Sequence, residues 1–461
     1  MLPAFLNPDN WSLSASIAIT ATLAAMSCAL PGVWLVLRRQ SMLGDALSHT
    51  ALPGIVVAFL LAAAVQGAGW IKPETLLTFE HIVLFIGAVL AGVLTAWLTE
   101  WVQKIGNVES SAALGVVFSG LFALGLFLIR YVADDVHLDT DCVLFGRIVE
   151  VSLLTFNIGG LHFPRAAVIN GALLLCNLAL MLTFFKELRI SAFDPALATV
   201  QGINARAMHY SLMAVTALTV VAAFESVGSI LVIGLLVAPG ATAHLLTDRL
   251  RPMILLSLVF AATAAVLGQW LSLSLPRALL PRLGLEGIDS VSTSGMIAVT
   301  TGGLFLLAWL ISPRYGLLAR AYHSTRLAAR IVAEDLLGIL YRRSERNAGP
   351  MPVAELKQHE LHTPLGHWLS RWTVWRFRSR GLIVTTPDGL TLTEAGNAAA
   401  REVVRSHRLW EAYLEKHFEL PSDHLHAPAH RAEHYLDEEL REVLASELNT
   451  PQSDPHGREI P

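Results

Sequence analysis

Long apolar runs alternate with short polar breaks over the first two thirds of the chain. The runs fall at 12–37, 47–65, 81–101, 112–130, 166–185, 208–224, 226–246, 253–273 and 293–312. Each approaches the ~20 residues that a helix needs to cross a bilayer. The pattern therefore predicts an all-α polytopic membrane domain of about nine transmembrane helices over 1–312. Beyond 313 the runs give way to periodic, charged sequence. Residues 326–345 read as a helix, followed by a turn at Asn347-Ala348-Gly349-Pro350. A short helix over Val353–His359 and a longer one over Pro364–Arg380 come next. Two short strands flank Pro387-Asp388-Gly389, and another helix follows. Three helices and then a hairpin predict an α+β winged helix over 330–400, with 313–329 as its linker.

Composition sharpens this division. The chain has 461 residues, 54% of them hydrophobic and 15% charged. Residues 313–461 carry 19 of the 33 Lys+Arg, 20 of the 37 Asp+Glu and 11 of the 17 His. The two parts are thus a membrane domain and a water-soluble domain of ordinary single-domain size. Cys28, Cys142 and Cys176 contain no CxxC pair, which argues against a disulfide framework or a zinc ribbon and for small apolar fillers. No basic leader or cleavage site precedes the first run, so it is expected to stay as a span.

Basic residues orient the spans. Arg38/Arg39, Lys104, Lys186/Arg189 with Arg206, Arg249/Arg251 and Arg314/Arg320/Arg326 follow the odd-numbered spans. Those loops are expected to be cytoplasmic, with the N-terminus outside and the C-terminal domain inside. Arg277 and Arg282 run against the rule. Asp134, Asp135, Asp139 and Asp141 crowd an outer loop, read as a solvated acidic segment rather than a cation trap.

Ionisable groups inside the apolar runs are the first candidates for function, because charge at membrane depth is costly. Asp45 and His49 stand four apart, on one face of a helix and one turn from each other. A carboxylate and an imidazole together suit a divalent first-row metal. The competing reading is an Asp N-cap and an interfacial His. Glu225 lies where two runs abut without a polar linker, either at membrane depth or in a tight outer hairpin. Val237-Ala238-Pro239-Gly240 reads as a Pro/Gly break in an apolar run. Asp194 followed by Pro195, with Gly202 as the stop, predicts a short capped helix in a polar loop.

Four stretches carry a family resemblance: LRRQSMLGDALSHTALPG (37–54), LFGRIVEVS (144–152), SAFDPALATVQGI (191–203) and ESVGSILVIGLLVAPGATA (225–243). In this order over ~12–312, they resemble the permease subunits of ABC-type importers for manganese, zinc and iron, the ABC-3 family. The resemblance implies a homodimeric or paired permease in the inner membrane. It also implies a separate cytoplasmic ATPase subunit and an extracytoplasmic metal-binding protein. The chain itself has no GxxxxGK[ST] phosphate loop, in agreement. It assigns Asp45 and His49 to the translocation path, with Glu225 added from its position. It makes Asp194, Pro195, Ala198 and Gly202 part of a helix that docks into the ATPase.

The last sixty residues hold a second constellation. His407 and Glu411 are four apart, and His426, His430, Glu433 and His434 follow. Six N and O donors within 28 residues are enough for one or two metal sites. VVRSHRLWEAYL (403–414), HLHAPAHRAEHYLDEELREVL (424–444) and NTPQSDPHGREIP (449–461) resemble the dimerisation and metal-sensing part of DtxR-type metalloregulators. That part occupies 401–461 here, behind the winged helix. The resemblance implies one site from His407, Glu411 and His426, and another from His430, Glu433 and His434. Asp335 matches a further ligand, while Gly338 stands where another would be. His430 replaces the Cys or Glu of the family pattern and favours a borderline ion.

The combined reading is a divalent-metal importer permease with a fused cytosolic metal-sensing domain. Manganese is favoured as the ion, with zinc or iron next. It is not an enzyme, and lipid is its solvent. The reading from a different class is a membrane-tethered, metal-dependent DNA-binding transcriptional regulator, with Arg371, Arg376, Arg378 and Arg380 meeting DNA phosphates. Trp368, Trp372 and Trp375 between them are unusual for such a helix. An intramembrane metallohydrolase is discounted, because the sequence has no HExxH helix.

Overall fold

The computed structural model describes residues 13–67, 76–132, 148–151, 154–158, 161–279, 281, 291–352, 355, 366–418, 425–436, 438–449 and 451–461. They form two compact units, Met1–Leu317 and Leu318–Pro461. Asp134, Asp135, Asp139, Asp141, Cys142 and Arg282 lie outside the described residues, as does most of the helix expected at Val353–His359.

The first unit is a helical bundle: α1 (Leu13–Leu37), α2 (Met42–Gly67), α3 (Leu76–Gly106), α4 (Ser110–Val132), the hairpin β1 (Thr155–Ile158) and β2 (Leu161–Pro164), α5 (Arg165–Thr183), α6 (Phe185–Phe193), α7 (Pro195–Val200), α8 (Ala205–Val227), α9 (Ser229–Leu246), α10 (Leu250–Leu279) and α11 (Thr293–Ile311). Among the described residues nine helices are long and apolar enough to span a membrane, in the places the apolar runs predict.

Helix α1 is the axis of the bundle, packed by α5, α8, α9 and α10. Ala24, Ala25, Cys28, Ala29, Leu30, Val33, Trp34 and Leu35 are all fully buried. Small residues let the backbones approach, as lipid-embedded helices require. A Cβ on Gly32 would lie 1.7 Å from the Leu236 carbonyl oxygen of α9. One on Gly54 of α2 would lie 2.3 Å from the Gly87 oxygen of α3. Most buried Ser and Thr hydroxyls donate to carbonyls of their own helix, as Thr95 and Thr216 do, whereas Asn177 Nδ2 of α5 ties helices together, donating to Ser27 O (3.1 Å) and to Thr219 Oγ1 of α8 (2.9 Å).

Pro239-Gly240 does not break the seventh span. Helix α9 runs through it from Ser229 to Leu246. Gly240 seats that turn against the α1 backbone, where its added Cβ would be 3.3 Å from Val33 Cα. A neighbouring helix thus holds the turn that proline weakens. Past α9, the Asp248 carboxylate pairs with Arg314 and accepts from the Tyr315 hydroxyl at 3.0 Å. The Tyr315 hydroxyl, then the Arg314 guanidinium, hold this carboxyl below the usual carboxylate range.

The second unit comprises α12 (Leu317–Glu345), α13 (Gly366–Ser379), β3 (Ile383–Thr386), β4 (Gly389–Leu392), α14 (Glu394–His417), α15 (His426–Ala432), a 3₁₀ turn at Glu433–Tyr435 and α16 (Glu438–Glu447). The wing pairs Ile383 with Leu392 and Thr386 with Gly389, and Met351 bridges to Leu390. Leu336, Leu340, Tyr341, Phe377, Ile383, Leu390, Ala400 and Val404 form its core. The expected linker 313–329 is helical from Leu317, because α12 extends backwards through it. The expected boundary between 400 and 401 falls inside α14, whose single amphipathic face serves both the wing and the tail. Buried Arg408 of α14 binds the Glu345 carboxylate at 2.6 and 3.0 Å, and Arg405 donates to the Pro461 oxygen at 3.0 Å.

Candidate functional site

Asp45 sits inside α2, in its first turn, and so does not cap it. A carboxylate there is stabilised by the helix dipole. His49 Nε2 lies 3.4 Å from Asp45 Oδ1. Within the single chain these side chains remain 29% (His49) and 45% (Asp45) exposed, although α2 is a span. Phe118 and Phe122 of α4 flank the imidazole, with ring centroids at 5.7 and 5.2 Å. The pair is thus presented on an apolar wall with an open side.

Glu225 is in the last turn of α8, where Gly228 at φ +81° turns directly into α9. Its side chain lies outside the described residues. Gly92 of α3 marks the relative depth: its added Cβ would touch both Leu47 of α2 and Ala217 of α8. Glu225 therefore stands about 10 Å farther along the bundle than His49, at ~1.5 Å of rise per residue.

The ends of α1, α3, α6 and α8 meet in a polar cluster beside a cavity of about 440 Å³. Arg38 reaches His209 Nδ1 and Ser191 Oγ, each at 3.1 Å. His209 Nε2 lies 3.5 Å from Glu100 Oε1, and the Tyr210 hydroxyl donates to Glu100 Oε2 at 3.0 Å. Arg38 belongs to the motif around Asp45, but its partners are distant in sequence and carry no local signal.

The short helix α7 is built as expected. Asp194 accepts from Leu197 N at 2.9 Å, Pro195 opens the helix, and Gly202 turns out of it at φ +79°. Ala198, however, is fully buried and faces its own bundle. The outward face carries Leu197 and Val200, the latter 86% exposed, and Phe193 at the end of α6 is exposed as well.

In the second unit, α15 and the turn after it bring two imidazoles to Asp335 of α12. Asp335 Oδ1 lies 3.8 Å from His430 Nε2 and 3.4 Å from His434 Nε2. One ligand atom from each of the three lies within 4.8 Å of the others. Asp335 Oδ1 is buried without a hydrogen-bond partner. A bare buried carboxylate oxygen is costly, and a cation among these donors satisfies it. The donor set therefore fits a divalent metal.

Glu334 is the residue that sequence reading missed. Its Oε2 lies 2.8 Å from His434 Nδ1, and its Oε1 accepts from Arg330 Nε at 2.7 Å. A carboxylate on the far ring nitrogen fixes the ring and turns its other nitrogen toward a metal. The signal was present only as the neighbour of Asp335 on α12. Gly338 leaves space that the Arg342 side chain fills, so no ligand comes from there. The side chains of His426 and Glu433 lie outside the described residues. His407 and Glu411 form a second buried pair on α14, with Nε2 and Oε1 3.1 Å apart.

Comparison with known proteins follows the same division. The family model described as "ABC 3 transport family" matches residues 12–283, and "Iron dependent repressor, metal binding and dimerisation domain" matches 393–461. The chain is 38% identical over 310 residues to the manganese transport system membrane protein MntD of Bacillus subtilis, covering 67% of this chain and 95% of that one. It is 26% identical over 461 residues to a probable metal transport system membrane protein of Chlamydia trachomatis, covering 98% and 96%. Among solved structures, PsaBC from Streptococcus pneumoniae aligns with a TM-score of 0.51 at 28% identity, covering 68% of this chain and 97% of that one.

Proposed function

The chain belongs to the ABC 3 transport family, and from that premise we propose that it imports manganese through a path containing Asp45 and His49. The observation that carries the path is the shared face of α2, where a carboxylate and an imidazole stand 3.4 Å apart and open on a membrane-spanning helix. Hard oxygen and borderline nitrogen donors suit manganese and also accept zinc or iron. The manganese transport named for the Bacillus subtilis relative favours manganese.

Positive charge after α1, α3, α5, α9 and α11 supports cytoplasmic loops there, in an inner membrane with the N-terminus outside. On that orientation α7 meets a separate ATPase through Leu197 and Val200, together with Phe193 at the end of α6. A second permease and an extracytoplasmic metal-binding protein complete the importer, and alternating access moves the ion.

The C-terminal unit senses the imported metal. Asp335, His430 and His434 would hold the ion, with Glu433 as a further donor and Glu334 orienting His434. His407, Glu411 and His426 would form the other site. An ion held by Asp335, His430 and His434 would supply fixed positive charge between α12 and the α15 end of the tail. Occupancy must favour one transporter conformation to regulate it, and inhibition is the useful sign when internal metal is high.

The direct test is uptake of manganese, zinc and iron together, in cells lacking their own importer and supplied with this chain and its partner subunits. Manganese uptake that outcompetes zinc supports the reading. Preferential zinc uptake reassigns the ion. A second reading, a tethered metal-dependent DNA-binding regulator, is favoured by the repressor-type match at 393–461. It turns on what the outer face of α13 binds.

A further inference from the structure

Helix α13 has two very different faces. Leu369, Ser370, Thr373 and Phe377 are buried, and Phe377 enters the core of the unit with Leu336 and Ile383. The opposite face carries three tryptophans, with Trp368 72%, Trp372 37% and Trp375 65% exposed. Spacing of four and then three residues lines them along one stripe. Arg371 and Arg378 border the stripe on one side and Arg376 on the other, its guanidinium 5.1 Å from the Trp372 ring. Arg380 follows the helix. No Asp or Glu occurs from Gly366 to Arg380.

Three half- or fully exposed indoles in water are unfavourable, and a partner must cover them. A helix that reads duplex DNA presents slender polar side chains to base edges in the major groove. Here the reading positions are filled by indoles with one N–H each. Indole rings instead favour the headgroup level of a bilayer, and arginines around them favour anionic headgroups. The chain also brings its own bilayer: α12 begins at Leu317, shortly after the last span ends at Ile311. Tethering keeps a lipid surface at high effective concentration.

We propose that the outer face of α13 docks on the anionic lipid surface of the membrane. Trp368, Trp372 and Trp375 seat at the boundary of headgroup and acyl chain. Arg371, Arg376, Arg378 and Arg380 pair with lipid phosphates. The position used for reading operators in a winged helix is thus given over to lipid.

The test uses the full chain in nanodiscs of neutral lipid or of neutral lipid mixed with phosphatidylglycerol. Cys142 and Cys176 are replaced by Ser, buried Cys28 is left, and Ser379→Cys, on the tryptophan side, carries an environment-sensitive fluorophore. In anionic discs the emission shifts to the blue, and brominated acyl chains quench it by roughly two-fold or more, as for a probe at the headgroup–acyl boundary. Molar salt, or Arg371→Glu with Arg378→Glu, removes the shift. Trp368→Ser with Trp375→Ser removes the bromine quenching. Identical spectra in anionic discs, neutral discs and detergent overturn the proposal. So does a shift produced only by added duplex DNA, which assigns the face to nucleic acid. The salt titration needs no charge or tryptophan variant and separates loss of docking from loss of fold.

Discussion

In the proposed metal centre, the position of the His434 ring is set by its Nδ1. His434 can offer Nε2 toward Asp335 because Glu334, itself held by Arg330, occupies Nδ1. Glu334→Ala should therefore weaken metal binding about 10- to 100-fold while the unit stays folded. Calorimetry on the full chain in detergent measures this, and unchanged affinity would remove Glu334 from the site. Binding at Asp335, His430 and His434 needs imidazoles without protons, so the same titration should show proton release and a fall in affinity on acidification. Asp45→Ala and His49→Ala belong to a separate assay. Each should cut uptake by roughly an order of magnitude or more with membrane insertion intact, at least the loss that removing even an outer-shell partner of a metal ligand brings. Normal uptake in both would place the path elsewhere. These residues differ in how legible they were. Asp45 and His49 are four apart in one motif, and periodicity exposes them. Glu334 and His434 are a hundred residues apart, and only the fold that lays α15 on α12 makes them neighbours.

Elements were readable wherever one physical signal dominated. Nine apolar runs became nine spanning helices among the described residues, because lipid forces their backbone hydrogen bonds inward. The cap of α7 was readable from Asp194, Pro195 and Gly202, since each answers a local backbone need. Its orientation was not: Ala198 looks like any small residue until the bundle buries it. Leu197→Asp with Val200→Asp should consequently abolish co-purification of the ATPase without unfolding the permease. Ala198→Asp should damage the permease itself. Retention of ATPase by the double variant would count against docking through this face. Pro239 misled in the opposite direction, because proline ends helices in water but persists in a bundle that holds its turn. The close approach of α1 and α9 makes a related prediction. Gly32→Ala has no room at the Leu236 carbonyl and should cost about 1–3 kcal/mol of stability, as overpacking does. Thermal unfolding in detergent reads that cost, and an unchanged midpoint would show that the helices can part.

At the scale of the whole molecule, two units share one chain, and the proposed function couples them. The division itself was legible, because charge and histidine concentrate after residue 313 while apolar runs end before it. The two units divide after Leu317, inside the expected linker 313–329, but the helix α12 that runs through that linker was not legible. In the proposed function, one unit imports a divalent metal and the other measures the same metal once it has arrived. The most direct test is the initial rate of manganese uptake in importer-deficient cells preloaded with increasing manganese. The cells carry either the wild-type chain or His434→Ala, each with its partner subunits. The account predicts that the wild-type rate falls as internal manganese rises, whereas the His434→Ala rate stays high. The same decline in both would contradict it.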